Sequence, residues 1–200
     1  MDPHATARSG DGDDAAVDDT TWFDDLFAAH AGAVHRYLVR RLPAGGADAE
    51  DLAADVLATA WRRRADVPRG AELPWLYRTA GFVLANHRRK ARPTPVAVVP
   101  DVPDDVDPAT LAVDDDRVRA VLGRLSPRDR QVLLLVAWDG IGGDALAQVL
   151  GVSRGGADAA LSRARARLRA AWAAESDETT DAGADDGAGE GDAAAQAGVR

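Results

Sequence analysis

Arginine is the residue type with most chemistry to offer in this chain. Arg88, Arg89 and Lys90 close one segment, and Arg163, Arg165, Arg167 and Arg169 alternate along another. A guanidinium presents a fixed fork of donors that fits phosphates and guanine edges, so the chemistry on offer is polyanion binding. Catalytic chemistry is not. The absence of cysteine excludes a thiol nucleophile, a thiolate zinc site and disulfides. His30 and His35 are five apart on a helix and off one another's face, His4 lies near the N-terminus, and His87 sits among cations. No general-base or metal-ligand cluster forms at those spacings, so the expectation is a non-enzyme without metal or cofactor.

The net charge of -9 argues against a polyanion partner until its distribution is read. Of 33 acids, 8 lie in residues 1–25, 7 in 101–116 and 8 in 175–200, and these segments hold only Arg8 and Arg200 as bases. The remaining 10 acids meet 22 bases, a balance of +12. Two basic regions are joined and flanked by acidic segments, a pattern suited to nucleic acid.

The stretch GVSRGGADAALSRARARLR, 151–169, has the outline of a DNA-reading helix. A short amphipathic helix through Ala145, Leu146, Val149 and Leu150 precedes it. Gly151 relieves the backbone at the turn and Ser153 caps the second helix, which makes a helix-turn-helix. Steps of three, four and four put Leu161, Ala164, Leu168 and Trp172 on the inward stripe. Arg154, near the positive helix end, and Asp158, one turn later, are best placed to meet base edges. Asp158 can accept from a cytosine amino group or repel phosphates. With Gly156 and Ala160 supplying no partner for its carboxylate, repulsion is the expected role.

The elements that must position these residues are all helices. Phe23, Leu26, Phe27, Val34, Tyr37, Leu38 and Leu42 recur at three and four from Thr21, before Pro43, Gly45 and Gly46. A second helix runs from about 48 to 64, with acids in its first turn and Arg62, Arg63 and Arg64 at its end, as the helix dipole favours. A third runs from about 73 to 90, with Pro74 in its first turn. The proline-rich stretch ARPTPVAVVPDVPDDVD, 91–107, reads as an extended linker. Four more helices follow at about 115–124, 127–138, 144–150 and 154–174, with Ser126, Asp144 and Ser153 as candidate caps.

Read in order, DAEDLAADVLATAW (48–61), LPWLYRTAGFVLANHRRKAR (73–92) and the segment from Leu125 to Leu168 resemble a bacterial extracytoplasmic-function (ECF) sigma factor, over about 22–174. The resemblance implies core RNA polymerase and promoter DNA as partners, and it admits an anti-sigma factor. Core binding would fall to Asp51, Leu52 and Asp55, although Ala54 and Asp55 stand where the family has glutamine and glutamate. The melted minus-ten strand would fall to Arg69, Tyr77, Arg78, Asn86, Arg88, Arg89 and Lys90, with stacking and phosphate contact as the physical basis. Trp75 reads as core. Asn86 replaces the usual aspartate. Minus-thirty-five contact would fall to Ser153, Arg154, Asp158, Arg163 and Arg165. Gly156, Asp158 and Ala160 replace the family's threonine, lysine and arginine, so recognition there is expected to be unusual or weak.

The expected fold is all-α with two small helical domains. Residues 20–92 would bind core enzyme and the minus-ten element, and 115–175 would carry the helix-turn-helix. A linker over 93–114 would join them, and disordered acidic tails over 1–19 and 176–200 would flank them. No apolar run approaches the ~20 residues that span a bilayer, and the N-terminus has no apolar signal core, so a cytoplasmic protein is expected without membrane insertion. Two other readings stand beside the sigma factor: an independent helix-turn-helix regulator, and a degenerate relative acting through protein contacts.

Overall fold

The computed structural model describes residues 10–42, 46–91 and 115–185. Among these the chain forms seven α-helices and no strand. The expected linker over 93–114, and residues 1–9 and 186–200 of the expected tails, lie outside the described residues.

The first three helices are α1 (Gly10–Val39), α2 (Ala49–Arg62) and α3 (Glu72–Ala91). Each buries the stripe that its apolar steps define. Leu26, Val34, Tyr37 and Leu38 come from α1, Ala49, Leu52, Val56, Leu57 and Ala60 from α2, and Leu76, Tyr77, Ala80 and Leu84 from α3. Tyr37 and Tyr77 stack at the centre of this bundle, 5.0 Å between ring centroids and 21° apart in plane. The expected boundary between tail and helix is displaced. Helix α1 begins ten residues before Thr20, and the Arg64 guanidinium pairs with Asp19. No proline or glycine separates Asp13 from Phe27, so an anchored helix propagates backward at low cost.

The second group is α4 (Asp116–Gly123), α5 (Pro127–Ala137), α6 (Gly143–Leu150) and α7 (Arg154–Asp185). Asp115 caps α4 by accepting from Arg117 N and Val118 N, and Ser126 caps α5 by accepting from Asp129 N. Asp144 caps nothing: the N-cap of α6 is Gly142, and Asp144 stands in the first turn. The buried Arg130 donates to the carbonyls of Leu122 and Leu125 at 2.9 and 3.0 Å, which ties α5 to the end of α4 and the turn after it. Helix α7 continues to Asp185, beyond the expected limit of 175. Trp172, assigned to the inward stripe, is 40% exposed. It lies at the rim of the group, with the Arg117 guanidinium 4.9 Å from its ring centroid.

The two groups share one core. Buried residues of α1–α3 form a continuous apolar cluster with Val132, Leu135, Ile141, Leu146, Val149, Leu150, Ala157 and Ala164. A smaller cluster of Leu122, Leu125 and Leu134 lies under α4 and α5. The contact between the groups is made chiefly by α3 against α6. It also holds a buried ion pair, Arg41 Nη2 to Asp139 Oδ2 at 2.7 Å.

Candidate polymerase and nucleic-acid interfaces

Helix α2 separates its acids from its apolar stripe by about 100° per residue. Asp51 and Asp55, four apart, are exposed on one face. Leu52 does not share it. It is 7% exposed and belongs to the inward stripe with Ala49 and Val56, so its assignment to a docking surface is corrected. Exposed Trp61 continues the outer side of α2 and meets Phe23 edge-on at 5.3 Å.

Helix α3 sorts its residues in the same way. Tyr77, assigned to base stacking, is 4% exposed and committed to Tyr37, so it offers no ring to a separated base. Its hydroxyl pKa is raised above the usual tyrosine value by burial, and next by the nearby Asp139 carboxylate. The outward stripe holds Arg78, Phe82, Asn86 and Arg89, at steps of four, four and three. Phe82 is the exposed aromatic of this face, at 45%. The sequence carried the signal for it, since Phe82 lies midway between Arg78 and Asn86. Asn86 Oδ1 accepts from Arg89 Nη2, so amide and cation are presented as a linked pair. Lys90 is exposed at the end of the helix. Arg88 is half-buried and donates to the Arg41 carbonyl at 2.6 Å, which makes it an anchor in the bundle instead of a free phosphate ligand. Arg69 is exposed in the loop before α3, its guanidinium 4.2 Å from the Trp22 ring centroid.

The helix-turn-helix forms as its residues dictate. Gly151 ends α6 at φ 66° and ψ 36°, a left-handed conformation that glycine adopts without strain. Ser153 caps α7, its hydroxyl accepting from Gly156 N at 3.2 Å. Ala157, Ala160 and Ala164 are buried. The replacement at Ala160 therefore lies on the inward side of α7, where the expectation placed a groove-facing residue. Arg163 and Arg165 are exposed. Arg167 is committed to structure, donating to the buried carboxylate of Asp129 at 2.6 Å.

Asp158 has a partner after all. Arg154 Nε donates to its carboxylate at 3.1 Å, and Arg154 Nη1 lies 3.2 Å from Asp144. These two acids raise the pKa of the guanidinium, Asp144 first. Gly143, at φ 61°, makes room for the side chain: a Cβ there would stand 3.0 Å from Arg154 Nη1. The opening turn of the recognition helix thus carries one cation held between two carboxylates.

Comparison with known proteins now bears on this geometry. Residues 26–94 match the model of sigma-70 region 2 and residues 115–168 that of sigma-70 region 4, in that order and without overlap. The ECF RNA polymerase sigma factor SigG of Mycobacterium tuberculosis, strains CDC 1551 and H37Rv, is 30% identical, over 72% of this chain and 48% of SigG. The chain belongs to the sigma-70 family, whose regions 2 and 4 it carries in order. It spans about half the length of the curated relatives it matches. Two solved sigma-factor folds agree with this one. RpoE of Bartonella quintana, in complex with the anti-sigma factor NepR, superposes with a TM-score of 0.51 at 22% identity, over 74% of this chain and 95% of that one. CnrH, in complex with the cytosolic domain of CnrY, gives 0.50 at 24% identity, over 76% and 88%. In this sigma factor, region 2 comprises the C-terminal part of α1, from Leu26, with α2 and α3, and region 4 runs from α4 into α7. Among the described residues no helix is long and apolar enough to cross a membrane, and no group of side chains is arranged to hold a metal ion.

Proposed function

We propose that this chain binds core RNA polymerase and directs promoter-specific initiation of transcription. The observation that carries the reading is the occurrence of sigma-70 regions 2 and 4, in order, in one chain whose second half folds a capped helix-turn-helix. Asp51 and Asp55 offer the polymerase a paired acidic face. Arg78, Phe82, Asn86, Arg89 and Lys90 offer a separated strand a stacking ring among polar and cationic groups. Arg154, Arg163 and Arg165 offer duplex DNA its cations, with Arg154 damped by Asp144 and Asp158. The domain limits that fit these roles are 20–92 and 115–175.

On this reading the protein works in the cytoplasm as a non-enzymatic subunit that needs no cofactor. An anti-sigma factor is a further partner in this proposal, since the RpoE relative was solved in complex with one. The test is reconstitution. Purified chain and core enzyme should co-elute and together support transcription from a shared set of promoters in a fragmented genomic template, where core alone does not. Binding to those fragments without core, and no co-elution, would point instead to an independent regulator.

A further inference from the structure

The first two turns of α7 hold few groups that can hydrogen-bond to a base. Between Ser153 and Ser162 the sequence is RGGADAAL, in which Arg154 and Asp158 are the polar side chains. A base edge met at the start of this helix is therefore met by that pair. Both are exposed, and both are joined to a third side chain, Asp144, which comes from the other helix of the helix-turn-helix.

Asp144 does not serve the cap beside which it stands, since the N-cap of α6 is Gly142 and no side chain bonds there. Its carboxylate is turned to Arg154 instead, with Oδ2 3.2 Å from Nη1. Gly143 leaves the room this needs, because a Cβ at its φ of 61° would stand 3.0 Å from the same nitrogen. From the other side Arg154 Nε donates to Asp158, 3.1 Å from Oδ2 and 3.4 Å from Oδ1. Nη2 has no hydrogen-bond partner among the described residues. All three side chains are more than half exposed, and ion pairs as open as these contribute little to stability. Their effect falls on what Arg154 can bind.

Two carboxylates around one guanidinium leave a net negative charge, so a phosphate is repelled unless Arg154 abandons both acids. A guanine edge is different. It is neutral and presents two acceptors, O6 and N7, which the donors remaining on Nη1 and Nη2 can meet with both ion pairs in place. A side chain already held in one orientation also loses less freedom on binding. We infer that Asp144 is a positioning residue which, with Asp158, holds Arg154 as a reader of guanine in the major groove and withholds it from the DNA backbone. This role rests on the proposed function for the meeting of α7 with duplex DNA.

The experiment selects bound duplexes from a random-sequence pool and sequences them, using the full chain alone at low salt and the full chain with core enzyme. Wild type should enrich guanine at one fixed position. Asp144→Ala should keep the unfolding midpoint and lower that enrichment by roughly five-fold or more, the discrimination of one bidentate contact. Affinity for the pool as a whole should rise with a steeper salt dependence, because Arg154 becomes available to phosphates. Asp144→Glu should restore the enrichment, and Arg154→Lys should abolish it, since an ammonium lacks the planar fork. If Asp144→Ala lowers the midpoint, Asp144→Asn takes its place, keeping the shape without the charge. A role confined to the dipole of α6 would move the midpoint and leave the enrichment as it is, which would overturn the positioning role. So would a fall in affinity for every duplex alike. No guanine enrichment in wild type would overturn guanine as the target, and recovery of no duplex under either condition would remove α7 from duplex reading. Failure of the sigma-factor reading is distinguishable: core enzyme would not associate, while the chain alone would still report the enrichment.

Discussion

Arg154 Nε donates to the Asp158 carboxylate across one turn of α7, at 3.1 Å. An acid that looked positioned to repel phosphates is therefore also the group that occupies the cation beside it. Asp158→Ala should free Arg154 for a phosphate. Duplex affinity should rise at low salt, and the slope of log affinity against log salt should steepen by about 0.9 for one added contact. Titrating a labelled duplex at several salt concentrations measures both. An unchanged slope would mean that Asp144 alone still holds the guanidinium.

The acids of α2 and the leucine between them should part company in experiment. Asp51→Arg with Asp55→Arg should abolish co-elution with core enzyme and leave thermal stability nearly unchanged, because both side chains are exposed on one face. Leu52→Ala should instead lower stability by ~2–5 kcal/mol, as expected for a cavity in a packed core. Denaturant unfolding beside a core-binding assay separates the two effects.

What was legible in the sequence follows from the range of the interactions. Helices, caps and the turn at Gly151 depend on neighbours within four residues, so Ser126, Ser153 and the apolar steps disclosed them. The bond between Arg154 and Asp158 was legible on the same ground, but it is hidden if Asp158 is weighed only against Gly156 and Ala160. Leu52 and Tyr77 were misplaced because a motif names adjacent residues together, whereas a helix sends neighbours to different faces. The pairing of Arg41 with Asp139 had no local signal at all. It joins residues 98 apart in sequence, and only the packing of α6 on α3 brings them together.

A pH effect follows from Tyr77. Its folded pKa is raised and its ordinary value is 10.0. A raised pKa means that the folded state holds the proton more tightly, so this contribution to stability is complete below about pH 10 and is lost as pH rises through the folded value. Wild type should therefore lose stability in the alkaline range faster than Tyr77→Phe, and the two curves should run parallel near neutral pH. Denaturant midpoints measured from pH 7 to 11 give the comparison.

The last expectation distinguishes the two aromatic rings of α3. Tyr77 is packed on Tyr37 inside the bundle, so Tyr77→Ala should cost ~3–5 kcal/mol of stability. Any loss of single-strand binding in that variant should follow its unfolded fraction and recover where the protein is held folded by lower temperature. Phe82 is the opposite case. It is exposed between Arg78 and Asn86, so Phe82→Ala should leave the unfolding midpoint nearly unchanged. It should weaken binding of single-stranded DNA by ~1–3 kcal/mol, the stacking of one base. Arg78→Ala at the same face should flatten the salt dependence, because a cation is lost and not a stacking surface. If Phe82→Ala binds single strands as wild type does, bases do not stack on this face of α3, and its cations serve the DNA backbone alone.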